Sequence, residues 1–484
     1  IQLGKGTSQH VLISGKTGSG KSTLLHVLIL NLALRYSPDE VELYLVDFKK
    51  GVEFKAYAQY GLPHARIVAI ESEREFGLSV LERLDAELRQ RGDLFRQKGV
   101  QDVQGFRAAE PGARMPRVLL VIDEFQELFV EDDRIAQNAM LLLDRLVRQG
   151  RAFGIHVLLG SQTLAGAYSI PRATIGQMAV RIALQCSEAD AHLILSEENT
   201  AARLLSRPGE AIYNDANGLY EGNHPFQIVW LSDKQREDYL GRLSRWAESH
   251  GHACPPAIVF EGNQPADPRK NAALCGLIAS PAWSERHLAP RAWLGSPVAI
   301  REATAAVFAR QGGANLLIAG HQEDTSLGIL ATAVIGLAAQ SPPTGSDGGP
   351  ATRFYVLDGM QPDAAHAGLW QRLADALPHA VTIVGPREAS RVMAEISEEL
   401  ARREQPGQEF GPPIYLIVYD LGRFRDLRKR DDDFGFSRDD EGAAKDPARQ
   451  FRDILHEGPA VGIHALIWGD SYNSITRVLD RRAL

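Results

Sequence analysis

The stretch His10-Val11-Leu12-Ile13-Ser14-Gly15-Lys16-Thr17-Gly18-Ser19-Gly20-Lys21-Ser22-Thr23 decides the fold. A strand-like run, His10–Ser14, leads into a glycine-rich octet, Gly15 to Ser22, that fits GxxxxGK[ST] at every position. A helical pattern opens at Lys21. Glycines in such a loop let successive backbone N–H groups turn inward, which makes an anion nest at the positive end of a helix. The candidate nucleotide-binding residues are therefore Gly15, Lys16, Thr17, Gly18, Ser19, Gly20, Lys21, Ser22 and Thr23. Lys21 is expected to reach the β- and γ-phosphates of ATP, and the Ser22 hydroxyl to ligate Mg²⁺.

A second stretch, Val118-Leu119-Leu120-Val121-Ile122-Asp123-Glu124, reads as a strand buried on both faces and ending in two carboxylates. Ligands of open α/β sheets gather at that edge. Asp123 is the expected Mg²⁺-side carboxylate and Glu124 the expected general base. Gln162, at the end of the strand-like run His156–Ser161, stands where a γ-phosphate sensor is needed. Arg148 and Arg151 precede that run and Arg181 opens the next one. Each fits either an arginine finger delivered to a neighbouring subunit or an ordinary surface ion pair.

Around these motifs the first half alternates strand and helix patterns, as a parallel α/β sheet requires. Further strands are expected at Leu43–Asp47, Arg66–Ile70, Val180–Gln185 and Phe226–Trp230. Helices are expected at Lys21–Tyr36, Arg74–Lys98 and Arg134–Arg151. The second half repeats the plan: Asn315–Gly320 echoes His10–Gly15, Phe354–Asp358 echoes Tyr44–Asp47, Ile414–Asp420 echoes Val118–Asp123, and Gly462–Trp468 echoes Gly154–Gly160. Two tandem copies of one fold follow, with a catalytic domain at 1–245, a linker at 246–290 and a degenerate copy at 291–484. By the repeat offset, Thr325-Ser326-Leu327 stand where the first copy has Gly20-Lys21-Ser22. Asp420 takes the Mg²⁺-type position, Leu421 the base position and Asp470 the sensor position. Inserted loops are expected at Ser341–Pro350 and Asp431–Lys445. The second copy is expected to stop before its last strands.

The chain has 484 residues and a net charge of -8, which argues against a broad nucleic-acid-coating surface but leaves room for a local basic stripe. Lys49–Lys50 and Arg148–Arg151 are candidates for one. Arg423–Arg430 is followed at once by an Asp triplet and reads as a self-compensating loop. The three cysteines, Cys186, Cys254 and Cys275, form no metal-type spacing, which points to a reducing, cytoplasmic setting. No apolar run is long enough to span a bilayer. The chain opens at Ile1 rather than Met and reads as a fragment, so any membrane link would come through segments outside it.

LVDFKKGVEF, GLPH, a long Arg-rich helix, VIDEF, RQGRAFGIHVLLGSQ and MAVRIAL together resemble the FtsK/SpoIIIE family of P-loop motors, over residues 1 to about 232. The resemblance implies a RecA-like P-loop NTPase fold, a mostly parallel sheet with flanking helices. It also implies ATP and Mg²⁺ as cofactors and a homo-oligomer, a hexameric ring that pumps a polymer through its pore. It carries over Lys21, Ser22, Asp123 and Glu124 as the ATP site, Gln162 as sensor, and Arg151 or Arg181 as finger. Two polymers stay open: double-stranded DNA, taken first, and a protein substrate, as in the coupling ATPases of type VII secretion. A nucleotide switch that binds ATP without turning it over is disfavoured by the intact Glu124 and Gln162.

Overall fold

The computed structural model describes residues 3–479 apart from residues 5, 7, 50–52, 165–171, 252–254, 263, 284–288, 346–347, 350, 408–410 and 429–445. Lys50, Cys254, the end of the Arg423–Arg430 run, part of the Ser341–Pro350 loop and the Asp431–Lys445 loop lie outside the described residues. The chain divides into two units, residues 1–265 with 298–301 and residues 266–297 with 302–484.

The first unit is built on a nine-stranded sheet of order β8-β7-β6-β1-β5-β4-β2-β3-β9. Its strands are β1 (Val11–Ser14), β2 (Val41–Asp47), β3 (Ala65–Ile70), β4 (Arg117–Asp123), β5 (Ile155–Ser161), β6 (Val180–Leu184), β7 (Glu210–Asn214), β8 (Asn223–Gln227) and β9 (Ile258–Glu261). All neighbours are parallel except β6-β7 and β7-β8. Alternation along β4 feeds two cores. Leu120 and Ile122 join Leu81, Leu84 and Leu88 of the helix Arg74–Lys98 on one face. Leu119 and Val121 join Leu24, Leu25 and Ile29 of the helix Lys21–Arg35 on the other. Because both faces are covered, the central strands read as unbroken apolar runs.

Three edge features depart from the expectation. The last antiparallel strand is Asn223–Gln227 rather than Phe226–Trp230, since its pairing with β7 starts at Asn223 opposite Asn214, and beyond Gln227 the Ile228 amide still donates to the Gly209 carbonyl at 2.8 Å. The strand β7 that pairs with it has no counterpart among the expected strands. Within the span expected as a linker, β9 adds in parallel to β3, which carries the first unit on to Pro265.

The second unit holds a two-stranded antiparallel sheet of β10 (Arg291–Gly295) and β11 (Thr304–Val307), and a five-stranded parallel sheet. The latter comprises β12 (Leu316–Ala319), β13 (Arg353–Asp358), β14 (Ala380–Val384), β15 (Ile414–Tyr419) and β16 (Ile463–Gly469). Its order, β12-β16-β15-β13-β14, is that of β1-β5-β4-β2-β3. The likeness reaches single hydrogen bonds. His156 Nδ1 lies 2.9 Å from the Gln9 carbonyl, and His464 Nδ1 lies 2.8 Å from that of Ala314. The Val157 amide donates to His10 Nδ1 at 3.1 Å, and the Ala465 amide donates to Asn315 Oδ1 at 2.8 Å.

Burial of His10, with the nearby His156 ring adding to it, pushes its pKa down to about 4, from 6.5 when free. The unfolded chain therefore takes up this proton first. The stability that His10 contributes is whole above pH 6.5 and is lost as pH falls through about 4. Asn315 fills the same place without titrating. His10→Asn should keep the Val157 bond at pH 7 and remove roughly 3 kcal/mol of the acid sensitivity between the two pKa values. Urea unfolding of the first unit across that pH range checks this, and an acid slope equal to that of the wild type would contradict it.

Candidate active site

The loop after β1 is pinned from three sides. The Gly15 amide donates to the Ser161 carbonyl at 3.2 Å, the Lys16 amide to that of Gln185 at 2.9 Å, and the Gly209 amide to that of Ser19 at 2.9 Å. Gly18 and Gly20 have φ of +79° and +105°, a region that side chains rarely enter. At Gly15 even a methyl group would sit 2.6 Å from Ser19 Oγ. Lys21, 5% exposed, turns its ammonium onto Asp123 Oδ1 and onto Glu124 Oε1, the latter at 2.6 Å.

Asp123 ends β4 and Glu124 follows it, and each is held differently. Burial raises the Asp123 carboxyl above its ordinary range, opposed by Lys21. Glu124 is also buried, but Lys21, the Gln126 amide and the Gln162 main-chain N–H outweigh that and hold it below its ordinary range. The Gln126 side chain donates to Glu124 Oε2 at 2.7 Å and accepts from the Ser161 hydroxyl at 2.7 Å. The Gln162 N–H donates to the same Glu124 oxygen at 3.0 Å, and the Gln162 side-chain oxygen accepts from the Thr17 hydroxyl at 3.0 Å. Gly160 makes room for the cluster, since a Cβ there would meet Asp123 Oδ1 at 2.6 Å. The P-loop, Asp123, Glu124 and Gln162, far apart in sequence, are thus in one place.

Several neighbours were not assigned roles in the sequence. Asp47 ends β2 level with Asp123, fully buried, with Oδ2 lacking any partner. Burial first, with Asp123 and Glu53 adding to it, pushes Asp47 up to about 7. Glu53 accepts from the Ser22 hydroxyl at 3.0 Å. Both belong to the LVDFKKGVEF stretch, whose acidic residues were the available signal. The donor set fits Mg²⁺-ATP. Ser22 and Asp123 offer hard oxygen donors at the mouth of an amide-lined loop, and Ser19 Oγ is buried there without a partner.

The three arginines divide. Arg181 is 7% exposed and gives its guanidinium to the carbonyls of Met178, Ile194 and Leu195, at 3.3, 3.1 and 2.5 Å. It closes the end of the helix Glu188–Ile194 and cannot reach outward, so the expectation of a finger at Arg181 is corrected. Arg148 pairs with Asp144 at 2.8 Å. Arg151 is exposed, and among the described residues its guanidinium has no partner. It precedes β5, and so lies a full strand, roughly 20 Å, from the site in its own unit.

In the second unit the counterpart positions are filled. Asp47 and Asp123 pair across their strands, as do Asp358 and Tyr419. Tyr419 therefore occupies the Asp123 position, and Asp420 the Glu124 position. The assignment of Asp420 to the Mg²⁺-type place and Leu421 to the base is corrected by one residue. Glu124 and Asp420 also share a left-handed backbone, with φ of 54° and 61°. Next to Tyr419, Trp468 stands where the first unit has Gly160, with ring centroids 4.8 Å apart, and its indole N–H donates to the Gly320 carbonyl at 3.0 Å. The helix Glu323–Ala339 opens three residues after Gly320, whereas Lys21–Arg35 opens six after Gly15. Thr325, Ser326 and Leu327 consequently lie inside a helix rather than at its tip, and Glu323 and Asp324 lead its first turn.

Residues 1–166 match the sequence profile of the FtsK/SpoIIIE family. The first unit carries an FtsK/SpoIIIE-family ATPase domain. That domain is similar to the ESX-5 secretion system protein EccC5 of Mycobacterium tuberculosis strain H37Rv, at 35% identity over 169 residues, 33% of this chain and 12% of the relative. It is similar as well to the DNA translocase FtsK of Streptococcus agalactiae, at 26% identity over 264 residues, 52% of this chain and 31% of the relative. The chain thus spans well under half the length of either relative. In fold it resembles the cytoplasmic domain of the Thermomonospora curvata type VII secretion ATPase EccC, with a TM-score of 0.61 at 22% identity, over 98% of this chain and 55% of that one. Beside this FtsK/SpoIIIE domain, no described helix is long and apolar enough to cross a membrane.

Arg181→Ala should cost about 2–4 kcal/mol, because buried carbonyls lose their donor. Urea unfolding of the first unit measures it. A loss under about 1 kcal/mol would contradict the structural role given to this arginine.

Proposed function

We propose that the first unit hydrolyses ATP as the engine of a ring-forming motor, and that the second unit keeps the fold without the chemistry. The observation that carries this reading is the Lys21 ammonium held between Asp123 and Glu124 at the mouth of the P-loop. In this reading the amides of Thr17, Gly18, Gly20 and Lys21, with the Lys21 side chain, bind the phosphates, the Gly15, Lys16 and Ser19 amides being spent on protein carbonyls, while Ser22 and Asp123 hold Mg²⁺. When bound, that ion neutralises charge on the β- and γ-phosphoryl oxygens. Glu124, ionised and anchored by Gln126 and Gln162, orients the attacking water and takes its proton. Gln162, tied to Thr17 and Glu124, registers the γ-phosphate. Arg151, distant from its own site and unengaged, completes the site of a neighbouring copy. A hexameric ring satisfies that demand.

For the substrate, the layout of the whole chain favours a protein. Likeness to the EccC fold runs through both units, whereas likeness to the DNA translocase covers about half of the chain. Duplex DNA, weighed first on sequence, is the second reading. Its support is the translocase similarity and the exposed Lys49.

Two experiments test these readings. Equilibrium binding of labelled ATP should give one site per chain in the wild type and none in Lys21→Ala. Glu124→Gln should still bind ATP, with turnover lowered at least about 100-fold. Tight Mg²⁺-dependent binding to Lys21→Ala would place a working site in the second unit. Wild-type turnover by Glu124→Gln would remove the base assignment. Separately, the ATPase rate should stay flat as duplex DNA is added at several salt concentrations. Strong stimulation that fades steeply with salt, the mark of counterion release, would give the motor to DNA.

A further inference from the structure

A serine hydroxyl has one proton and two lone pairs, so as a cation ligand it works best when a fixed acceptor takes the proton. Ser22 has such an acceptor. Its hydroxyl donates to Glu53 Oε1 at 3.0 Å. The other carboxylate oxygen of Glu53 faces His26 Nε2 at 3.3 Å, and His26 Nδ1 lies 2.8 Å from the Tyr57 hydroxyl. Glu53 itself is part-exposed, while His26 and Tyr57 are buried. The Phe54 ring meets His26 edge-on at 6.5 Å. A chain of four polar groups therefore runs from the mouth of the loop into the core between the helix Lys21–Arg35 and the segment after β2.

We propose that Glu53 is a positioning residue for the cation. By accepting the hydrogen bond of the Ser22 hydroxyl it leaves the lone pairs of that oxygen for Mg²⁺, and His26 and Tyr57 fix its own orientation. This rests on the phosphate-site reading above and assigns a role to the acidic end of LVDFKKGVEF. The competing explanation is a plain structural tie between helix and loop. Such a tie would affect nucleotide binding equally with and without Mg²⁺, and its loss would not depend on the Ser22 hydroxyl.

The full chain titrated with a fluorescent ATP analogue, in EDTA and then across a Mg²⁺ series, separates the two. Glu53→Ala should leave binding in EDTA unchanged and raise the Mg²⁺ concentration for half-maximal enhancement about 10- to 100-fold. Glu53→Gln, which keeps an acceptor oxygen of the right length, should fall between. Adding Glu53→Ala to Ser22→Ala should move the Mg²⁺ midpoint no further. An unshifted midpoint in Glu53→Ala, an equal loss in EDTA, or additive shifts in the double variant would overturn the proposal alone. A wild-type midpoint in Ser22→Ala would overturn the phosphate-site reading, and this proposal with it.

Discussion

A desolvated ammonium facing two carboxylates organises the first unit. Each of these charges out of water would be costly alone, and together they are tolerable only if strand ends hold them at contact distance. That requirement explains several otherwise unrelated residues. Gly160 is small because Asp123 needs the space, and Gly15 because Ser19 does. Gln126 and the Gln162 amide occupy the outer oxygen of Glu124 so that its charge stays satisfied on the side away from Lys21. The apolar strands supply rigidity, with β2 and β4 buried along nearly their whole length and ending level at Asp47 and Asp123.

Without that ammonium a carboxylate at the Asp123 place has no counterion, while the one at the Glu124 place, Asp420, is retained with Arg423 as its partner at 3.0 Å. In the second unit the loop is three residues shorter, no lysine leads the helix, and the place of Asp123 is taken by Tyr419. Trp468 fills the volume that Gly160 leaves open. Its indole bonds Gly320, and the Tyr419 hydroxyl donates to Glu323 Oε1 at 2.8 Å. At the Asp123 and Gly160 places the second unit carries an aromatic pair whose polar atoms are both bonded, beside the retained Asp358 and Asp420. The strand order around it is unchanged. Two facing positions on adjacent strands, Tyr419 and Trp468, changed chemistry together, as a shared cavity requires.

The loop, the Asp123–Glu124 pair and the central strands were legible because each is local: a glycine pattern, or an apolar run ending in charge. The repeat was legible for the same reason. The one-residue slip at Asp420 was not, because a constant offset ignores strand register, and only the pairing of Asp358 with Tyr419 fixes it. The shortened loop escaped for a like cause. Strand β9 is four residues long with half-exposed sides, so no alternation announces it. The fate of Arg181 depends on carbonyls more than a dozen residues away. The bond from Ser22 to Glu53 likewise joins helix to loop across 31 positions.

The left-handed backbone at Glu124 invites the view that strain is stored at the proposed base. The second unit argues otherwise. Asp420 has the same conformation at the same strand end, beside a tyrosine and with no phosphate loop. In both units a short 3-10 helix follows at once, Phe125–Phe129 in one and Leu421–Arg423 in the other. Its apolar residues, Phe125 and Leu421 among them, are fully buried. The kink is therefore what it takes to turn a buried parallel strand into that helix without exposing its first apolar side chain. Strain at active sites is inferred properly from an outlier that lacks a structural reason. Here the reason is present in both copies, so the Glu124 backbone belongs to the fold, and the base proposed there sits on a corner that the sheet already needs.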